Sequence, residues 1–469
     1  VLADTVEIVS SSLIGLTFRC ARCHSHKYDP LPQRDYYRFA AIFAAAYTPY
    51  DWIKPRDRFV ELVGTQDREV IRKHNAGVDR QVAEAKSKSA DLLESFRKKS
   101  REKWLTTLKE PERTRVSEAL AAEPSKRSDE QKQVLSKFEK QVKPDAKTLA
   151  KEFPRYKSQS EALQKQIKAL EGGKRKPERG HGLTDMKPQP EPFYLLRRGE
   201  WHNRGRQVLP NVPIVLQGPG RSYRVQRPPS GSPTSGNRLA LATWLARPDN
   251  PLTARVFVNR AWQHHFGRGI VATAEDFGRT GTLPTHPELL DWLAVNFVES
   301  GWSLKSLHRL VLTSSVYRQQ SRVRLEAETV DPENRLWWRM PLRRLDAEAL
   351  RDGLLAVAGR LDEQMYGSPV GVDSRSDGQV DAKANPAGNS RRSLYLLHRR
   401  SQPVTVLETF DLPRMTTNCI QRRTSNVVSQ ALLMLHGRFA DDQAARLAER
   451  VAARAGPDPG AQVERAYRE

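Results

Sequence analysis

The spacing of hydrophobic residues predicts helices along most of this chain. In the first 60 residues, apolar side chains recur at intervals of three and four, the repeat of one helix face: Tyr36, Phe39, Ala40 and Phe43. Asp35 is the expected N-cap of that helix, and Pro49 follows its end. The start of the chain is therefore predicted to be compact and mostly helical.

From residue 237 onward the same periodicity continues, interrupted by glycines and capping residues. It predicts a helix over Thr253–Phe266, ended by Gly267, and a later helix capped by Ser303. Two closing helices are predicted over Val428–His436 and Ala440–Arg454. This part of the chain is predicted to be a helical globular domain.

A long charged segment separates these two helical regions. From residue 66 to residue 180, 30 Lys and Arg stand against 19 Asp and Glu, so this segment carries +11 of the chain's net charge of +23. Its apolar stripes are narrow, as in Leu163, Ile167 and Leu170, which predicts a charged helical hairpin or coiled-coil arm. A surface this basic suits a polyanion such as acidic polysaccharide. The interleaved acidic residues favour a hydrated helical hairpin over polyanion binding. No nucleic-acid motif accompanies them, so nucleic acid is not an expected partner.

The segment 176–236 is rich in Pro, Gly and Ser and is predicted to be a linker with short strands at Phe193–Arg197 and Ile214–Gln217. The longest apolar run, Phe39–Tyr47, has nine residues, so this chain has no predicted membrane span. The expected fold is mainly α, with a helical C-terminal domain, a charged helical arm and a small β-containing linker. Its four parts are residues 1–60, 61–175, 176–236 and 237–469.

Two of the three cysteines form a Cys-x-x-Cys-His motif. Cys20 and Cys23 are spaced to reach the two vinyl groups of one porphyrin edge, and His24 would then lie over the iron as its proximal ligand. This arrangement is typical of covalently bound c-type haem. The third cysteine, Cys419, stands alone.

Two other chemistries remain open for this motif. Cys20, Cys23, His24 and His26 could supply the N and S ligands of a zinc site, although the adjacent residues 23 and 24 chelate a tetrahedral ion poorly. The two thiols could also be a redox pair, although no thioredoxin-like βαβ pattern follows them.

The sequence around this motif resembles a known family. The motif, the following His26-Lys27-x-Asp29-Pro30 and then Asp35-Tyr36-Tyr37 resemble the end of the planctomycete cytochrome-like surface module PSCyt, and the part after residue 237 resembles the PSD module that usually follows it. Segments that carry the second resemblance include Asn250–Arg255, Val258–Arg260, Asp276–Gly278, Pro284–Asp291, Arg343–Glu348 and Phe410–Pro413. Both modules are domains of unknown function. The resemblance implies an extracytoplasmic protein, in the periplasm or at the cell surface, with bound haem, and it implies no reaction.

The chain departs from that family in several places. It has Ser425-Asn426-Val427-Val428 where Ser-Thr-x-Pro is usual, and His436 where Asn is usual. It begins on Val1 and ends within a predicted helix, so it is expected to be a fragment or a processed chain that lacks the upstream part of the first module and is incomplete at the C-terminus.

Within the second module, His264 matches a Trp-x-His position of the family and is the predicted second ligand of the iron, although a packed histidine at a helix end is the alternative. Four carboxylates could instead form an acid/base pair: Glu275, Asp276, Glu288 and Asp291. Three hypotheses follow: a redox protein that carries haem c and meets a redox partner protein, a surface scaffold with structural zinc that contacts acidic polysaccharide, or a hydrolase.

Overall fold

The computed structural model describes residues 1–51, 53–54, 58–123, 126–187, 189–226, 228–383, 390–413, 419, 421–422 and 424–469. The chain divides into two compact units, one formed by Val1–Trp52 with Asp185–Glu469 and the other by Ile53–Thr184. Most described elements are helices and each described sheet has two strands, so the predicted mainly α fold is confirmed.

The elements follow one another in this order. The first are α1 (Leu2–Leu13), a 3-10 turn (Arg19–Arg22), α2 (Gln33–Ala41) and α3 (Ala44–Tyr47). The second unit contains β1 (Phe59–Glu61), α4 (Thr65–Leu105), α5 (Glu112–Ala121), α6 (Asp129–Lys137), α7 (Glu139–Val142), α8 (Ala146–Glu152), α9 (Pro154–Gly172) and β2 (Arg179–His181). The chain then returns to the first unit with β3 (Phe193–Leu196), β4 (Arg204–Val208), α10 (Asn237–Leu245), α11 (Thr253–Phe266), α12 (Pro287–Glu299) and α13 (Leu304–Thr313). It closes with α14 (Ser315–Arg318), α15 (Leu325–Val330), α16 (Ala347–Val357), β5 (Val372–Ser374), β6 (Val380–Ala382), α17 (Thr405–Thr409), α18 (Val428–His436), α19 (Arg438–Ala455) and α20 (Pro459–Arg468).

The first core of the larger unit joins distant parts of the sequence. Buried residues of α1 and α2, such as Val6 and Phe39, pack with Phe193 of β3 and with Trp244 of α10. A second core is formed by α11, α12 and α13, and a third by α16, α17 and the β5–β6 hairpin. Helix α10 thus contributes to the core of the N-terminal segment.

A close contact joins that N-terminal segment to α11. Gly15 has a φ of +57°, and a Cβ atom at this position would lie 2.7 Å from Phe277 and 2.9 Å from Val256 of α11. The backbone N–H of Phe277 also donates to the carbonyl oxygen of Gly15 at 2.7 Å. Only glycine combines this left-handed backbone with so short an approach.

The smaller unit is the charged helical arm that the narrow stripes predict. Its two long helices, α4 and α9, run antiparallel, since Lys86 pairs with Glu171 while Phe96 packs on Tyr156. Two small apolar clusters hold it together, one around Phe96 and Leu149 and the other around Val116. Strands β1 and β2 pair antiparallel.

Several local predictions are confirmed and two are wrong. Helix α11 has the predicted bounds, and the side chain of Ser303 caps α13. Asp35 lies inside α2, whose N-cap is Pro32, and its buried carboxylate accepts a hydrogen bond from the backbone N–H of Ile214 at 2.8 Å. The predicted strand Ile214–Gln217 is a 3-10 turn over Ile214–Leu216. The contact between Asp35 and Ile214 spans 179 residues and leaves no local signal in the sequence.

No helix in the described ranges is long and apolar enough to cross a membrane.

Candidate functional site

The two thiols of the Cys-x-x-Cys-His motif lie on an exposed turn. Cys20 belongs to the 3-10 turn Arg19–Arg22, and the backbone N–H of Cys23 donates to its carbonyl oxygen at 3.3 Å. Side chains three residues apart in a 3-10 turn lie one above the other. Both thiols are free and exposed, whereas Ala21 between them is fully buried in the first core. Ala21 therefore packs the turn into the core, while the two sulfur atoms face the solvent.

Hydrogen bonds fix the end of this turn. The carbonyl oxygen of Arg22 accepts a bond from the Tyr37 hydroxyl at 2.8 Å and another from the Gln33 side chain at 3.1 Å. Burial raises the pKa of Tyr37, so its hydroxyl stays protonated and donating. Gln33 also donates to the carbonyl oxygen of Leu196 at 3.1 Å, which ties the turn to β3. Gly199 completes the surroundings, because a Cβ atom there would lie 3.0 Å from Cys23 Sγ.

The imidazole of His24 is oriented by its own loop. Its Nδ1 lies 2.7 Å from the carbonyl oxygen of Ser25, and because a carbonyl only accepts, Nδ1 carries the proton and donates. The other ring nitrogen, Nε2, then has a free lone pair, and the residue is exposed. This is the tautomer in which a histidine ligates a metal through Nε2.

His26 has a different environment. Its Nδ1 accepts a hydrogen bond from the backbone N–H of Asp29 at 2.9 Å, and its side chain is only 6% exposed. The ring therefore shapes the loop, and Nδ1 is already engaged. Within the described ranges, no three His, Cys, Asp or Glu side chains are grouped to hold a metal ion.

Asp29 connects this loop to the C-terminal part of the chain. Its Oδ1 accepts a bond from the backbone N–H of Arg279 at 2.7 Å, while its Oδ2 is buried and has no hydrogen-bond partner among the described residues. Gly278 lies beneath the carboxylate, since a Cβ atom there would lie 2.6 Å from Oδ1. The sequence showed both segments as family motifs but gave no sign that they touch.

His264 lies near the end of α11 and lines a cavity together with Arg260, Arg343, Arg422 and Cys419. Partial burial and the three arginines lower the pKa of His264, so its imidazole is neutral at pH 7. Helix α11 does pack on the N-terminal segment through Val256 and Gly15. Ligation of an iron by His264 stays a prediction.

Two of the four carboxylates of the third hypothesis, Asp276 and Asp291, have structural partners. Asp276 accepts bonds from the backbone N–H of Gly278 and the hydroxyl of Thr280, at 2.9 and 2.6 Å. Asp291 pairs with Arg255 at 2.6 Å, and this hydrogen bond lowers the pKa of the carboxyl. Asp276 thus stabilises a loop, and Asp291 links two helices, α11 and α12.

Comparison with known families agrees with the motifs on both sides of the arm. Residues 1–48 match PSCyt2, described as a protein of unknown function (DUF1549), and residues 237–469 match PSD1, described as a protein of unknown function (DUF1553). No curated protein and no solved structure matches the chain. The two matched segments stand in the predicted order and together cover more than half of the chain. The chain therefore belongs to the family of proteins in which a PSCyt2 module is followed by a PSD1 module, both of unknown function.

Proposed function

We propose that this chain is an extracytoplasmic redox protein that carries c-type haem at Cys20, Cys23 and His24. The observation that carries the proposal is the orientation of His24, whose Nδ1–H donates to Ser25 and leaves Nε2 free beside two exposed thiols. A bound haem would supply one-electron transfer to a redox partner protein.

Cys20 and Cys23 would hold the haem covalently through thioether bonds. Each S–H would add across one vinyl group, so that an S–C bond would form and the hydrogen would go to the other vinyl carbon, with no net oxidation or reduction. Both thiols are free and exposed, as this addition requires.

The residues around the turn have defined tasks in this proposal. Tyr37 and Gln33 fix the carbonyl group of Arg22 and thereby the spacing of the two sulfur atoms. The exposed guanidinium groups of Arg19 and Arg22 are suitable partners for carboxylate substituents of a porphyrin. His26 acts through Asp29 on the shape of the loop and leaves the iron to His24.

The proposed location rests on the family and on the motif. Covalent haem attachment of this kind and the resemblance to a surface module both favour the periplasm or the cell surface.

A spectrum of the protein produced with a cytochrome c maturation system tests the proposal. We expect the sharp α band of a c-type haem in the reduced-minus-oxidised difference and haem that stays with the protein on a denaturing gel. The double variant Cys20→Ala/Cys23→Ala should lose covalent haem, and the matched control Cys419→Ala should keep it. Covalent haem that survives the double change would overturn the assignment.

Metal analysis of the same preparation distinguishes the haem protein from the alternative, a surface scaffold that holds structural zinc. Zinc without an α band would favour a surface-binding protein whose Cys/His segment holds structural zinc and whose basic arm contacts acidic polysaccharide. In that case the redox proposal is wrong.

A further inference from the structure

A second site lies in the PSD1 module, at the end of α11. It is a cavity of about 330 Å³, and several of the described residues that line it are cationic. The described lining residues are Arg260, Gln263, His264, Gly267, Arg343, Asp346, Pro413, Cys419, Gln421 and Arg422. Three arginines from three separate segments of the chain therefore meet at one cavity.

Two of these arginines lack a carboxylate partner. Among the described residues, neither Arg260 nor Arg343 forms an ion pair, whereas Arg422 pairs with Glu348 through two bonds of 2.6 and 3.0 Å. Glu275 lies near enough to raise the pKa of Arg260, but burial lowers it more. The cavity therefore has two positive charges that no described side chain neutralises at ion-pair distance, and Asp346, 3.8 Å from Arg422, is the carboxylate in its wall.

Both of these guanidinium groups are held in place by backbone carbonyls. Arg343 donates to the carbonyl oxygens of His264 and His265, at 2.7 and 3.2 Å, and so caps the C-terminus of α11. Arg260 donates to the carbonyl oxygen of Ser12 at 3.2 Å. Each uses one nitrogen in this way, and a guanidinium has five N–H donors in all. The arginines are thus oriented before any ligand arrives, which lowers the entropic cost of binding.

We propose that this cavity binds a doubly charged tetrahedral oxyanion, the phosphate group of a phosphate monoester or inorganic phosphate or sulfate. Two arginines that form no ion pair with a described residue match two negative charges. Donors that reach the cavity from three segments match oxygen atoms that point in several directions, whereas a planar carboxylate is satisfied by one bidentate arginine.

The neighbouring cavity favours an organic ester over the free ion. It has a volume of about 460 Å³ and shares Asp346 and Arg422 with the first. Its wall includes apolar side chains, among them Leu394, Leu397, Pro403 and Leu407. A phosphate group held by the arginines could carry an organic substituent into this second cavity, and cavities of this combined size are typical of small-molecule sites.

Equilibrium dialysis with four probes tests the proposal: inorganic phosphate, inorganic sulfate, 4-nitrophenyl phosphate and 4-nitrophenyl sulfate. We expect the dianions to bind at millimolar concentration or tighter, and 4-nitrophenyl phosphate to bind more tightly than inorganic phosphate. Phosphate bound as tightly as its ester would assign the site to the free ion. The monoanionic 4-nitrophenyl sulfate should bind at least tenfold more weakly than 4-nitrophenyl phosphate, and equal binding of these two esters would contradict the match of charges.

Arginine variants identify the cavity as the place of binding. Arg260→Gln and Arg343→Gln should each raise the dissociation constant for phosphate at least tenfold. Arg343 is exposed, so its variant is expected to fold even if the Arg260 variant does not. The matched control is Arg255→Gln. Arg255 lies on α11, like Arg260, but is paired with Asp291, so the dissociation constant of this variant for phosphate should stay within twofold of the wild-type value. No binding of any dianion by the wild type would overturn the proposal. Wild-type affinity for phosphate in both arginine variants would overturn it as well, and neither result depends on haem.

Discussion

The backbone N–H of Arg279 donates a hydrogen bond to Oδ1 of Asp29 at 2.7 Å, although 250 residues separate the two along the chain. Asp29 in turn donates its own N–H to His26, two residues after the proposed iron ligand His24. The loop that carries the Cys-x-x-Cys-His motif is therefore shaped by contacts with the PSD1 module. Residues in that module can change the loop without touching the motif.

Replacement of Gly278 by alanine tests this connection. The new Cβ atom would lie within 2.6 Å of the Asp29 carboxylate, so the loop must shift, and we expect a loss of about 2 kcal/mol in the free energy of unfolding, as for other overpacked sites. Urea unfolding measures it. The matched control is Gly353→Ala in α16, where nothing lies within 4 Å, and this change should stabilise by about 0.5–1 kcal/mol. Equal effects of the two changes would contradict the close contact.

The two histidines after the cysteines are expected to differ in their effect on a bound haem. His24→Ala should remove the ligand Nε2, so that the α band of the reduced protein weakens and added imidazole restores it. His26→Ala should keep the band and cost about 1–2 kcal/mol of stability through the lost bond to Asp29. Absorption spectra and urea unfolding of both variants check this. If only the His26 variant loses the band, His26 rather than His24 binds the iron, and the assignment to His24 is wrong.

The arm should be removable without unfolding the larger unit. Its helices pack around their own clusters at Phe96 and Val116, while the larger unit has three cores of its own. We expect a variant with residues 66–175 replaced by a short Gly/Ser linker to melt cooperatively within a few degrees of the full chain. Calorimetry measures this, and insoluble or non-cooperatively melting protein would show that the arm is part of the core.

Asp185 is expected to make stability depend on pH. Burial alone would raise the pKa of its carboxyl, but bonds from Ser235 and Thr234 and the ion pair with Arg238 outweigh burial, and the pKa is lowered. A lowered folded-state pKa stabilises the fold above the unfolded value of about 3.9, and this stabilisation is lost as the pH falls through the folded-state pKa. Asp185→Asn should therefore cost about 1–3 kcal/mol at pH 7 and progressively less below pH 4.

Urea unfolding at several pH values measures this effect. The matched control is Asp249→Asn, whose carboxyl pairs with Arg247 on the surface, where water screens the pair, so this change should affect stability much less than Asp185→Asn. A cost of the Asp185 change that is constant between pH 7 and pH 3 would contradict the ionic origin of the effect.

Local signals predict the helices well, because the residues that end a helix act within one turn. Gly267, with a φ of +82°, ends α11 at the predicted position, and Ser303 caps α13 through the backbone N–H of Ser306. Asp35 is not a cap because α2 begins two residues earlier, at Gln33. Its carboxylate instead accepts a hydrogen bond from the backbone N–H of Ile214, in a distant segment.

The candidate site is predictable only in part for the same reason. The sequence identifies Cys20, Cys23 and His24, because the Cys-x-x-Cys-His spacing required for covalent haem attachment is visible in the chain itself. The contacts that position them, through Gln33, Tyr37 and Asp29, depend on the folded structure. The cavity at Arg260 and Arg343 gives no sequence signal at all, since arginines that meet there are distributed among many others.

The position of α10 in the core of the N-terminal segment limits how such proteins can evolve. This helix belongs to the PSD1 match, yet Leu241 and Trp244 fill the core beneath the PSCyt2 segment. A border drawn from sequence similarity at residue 237 thus passes through a single folding unit. Recombination at that border would leave each half with an open apolar face, so we expect selection to keep the two modules together on one gene.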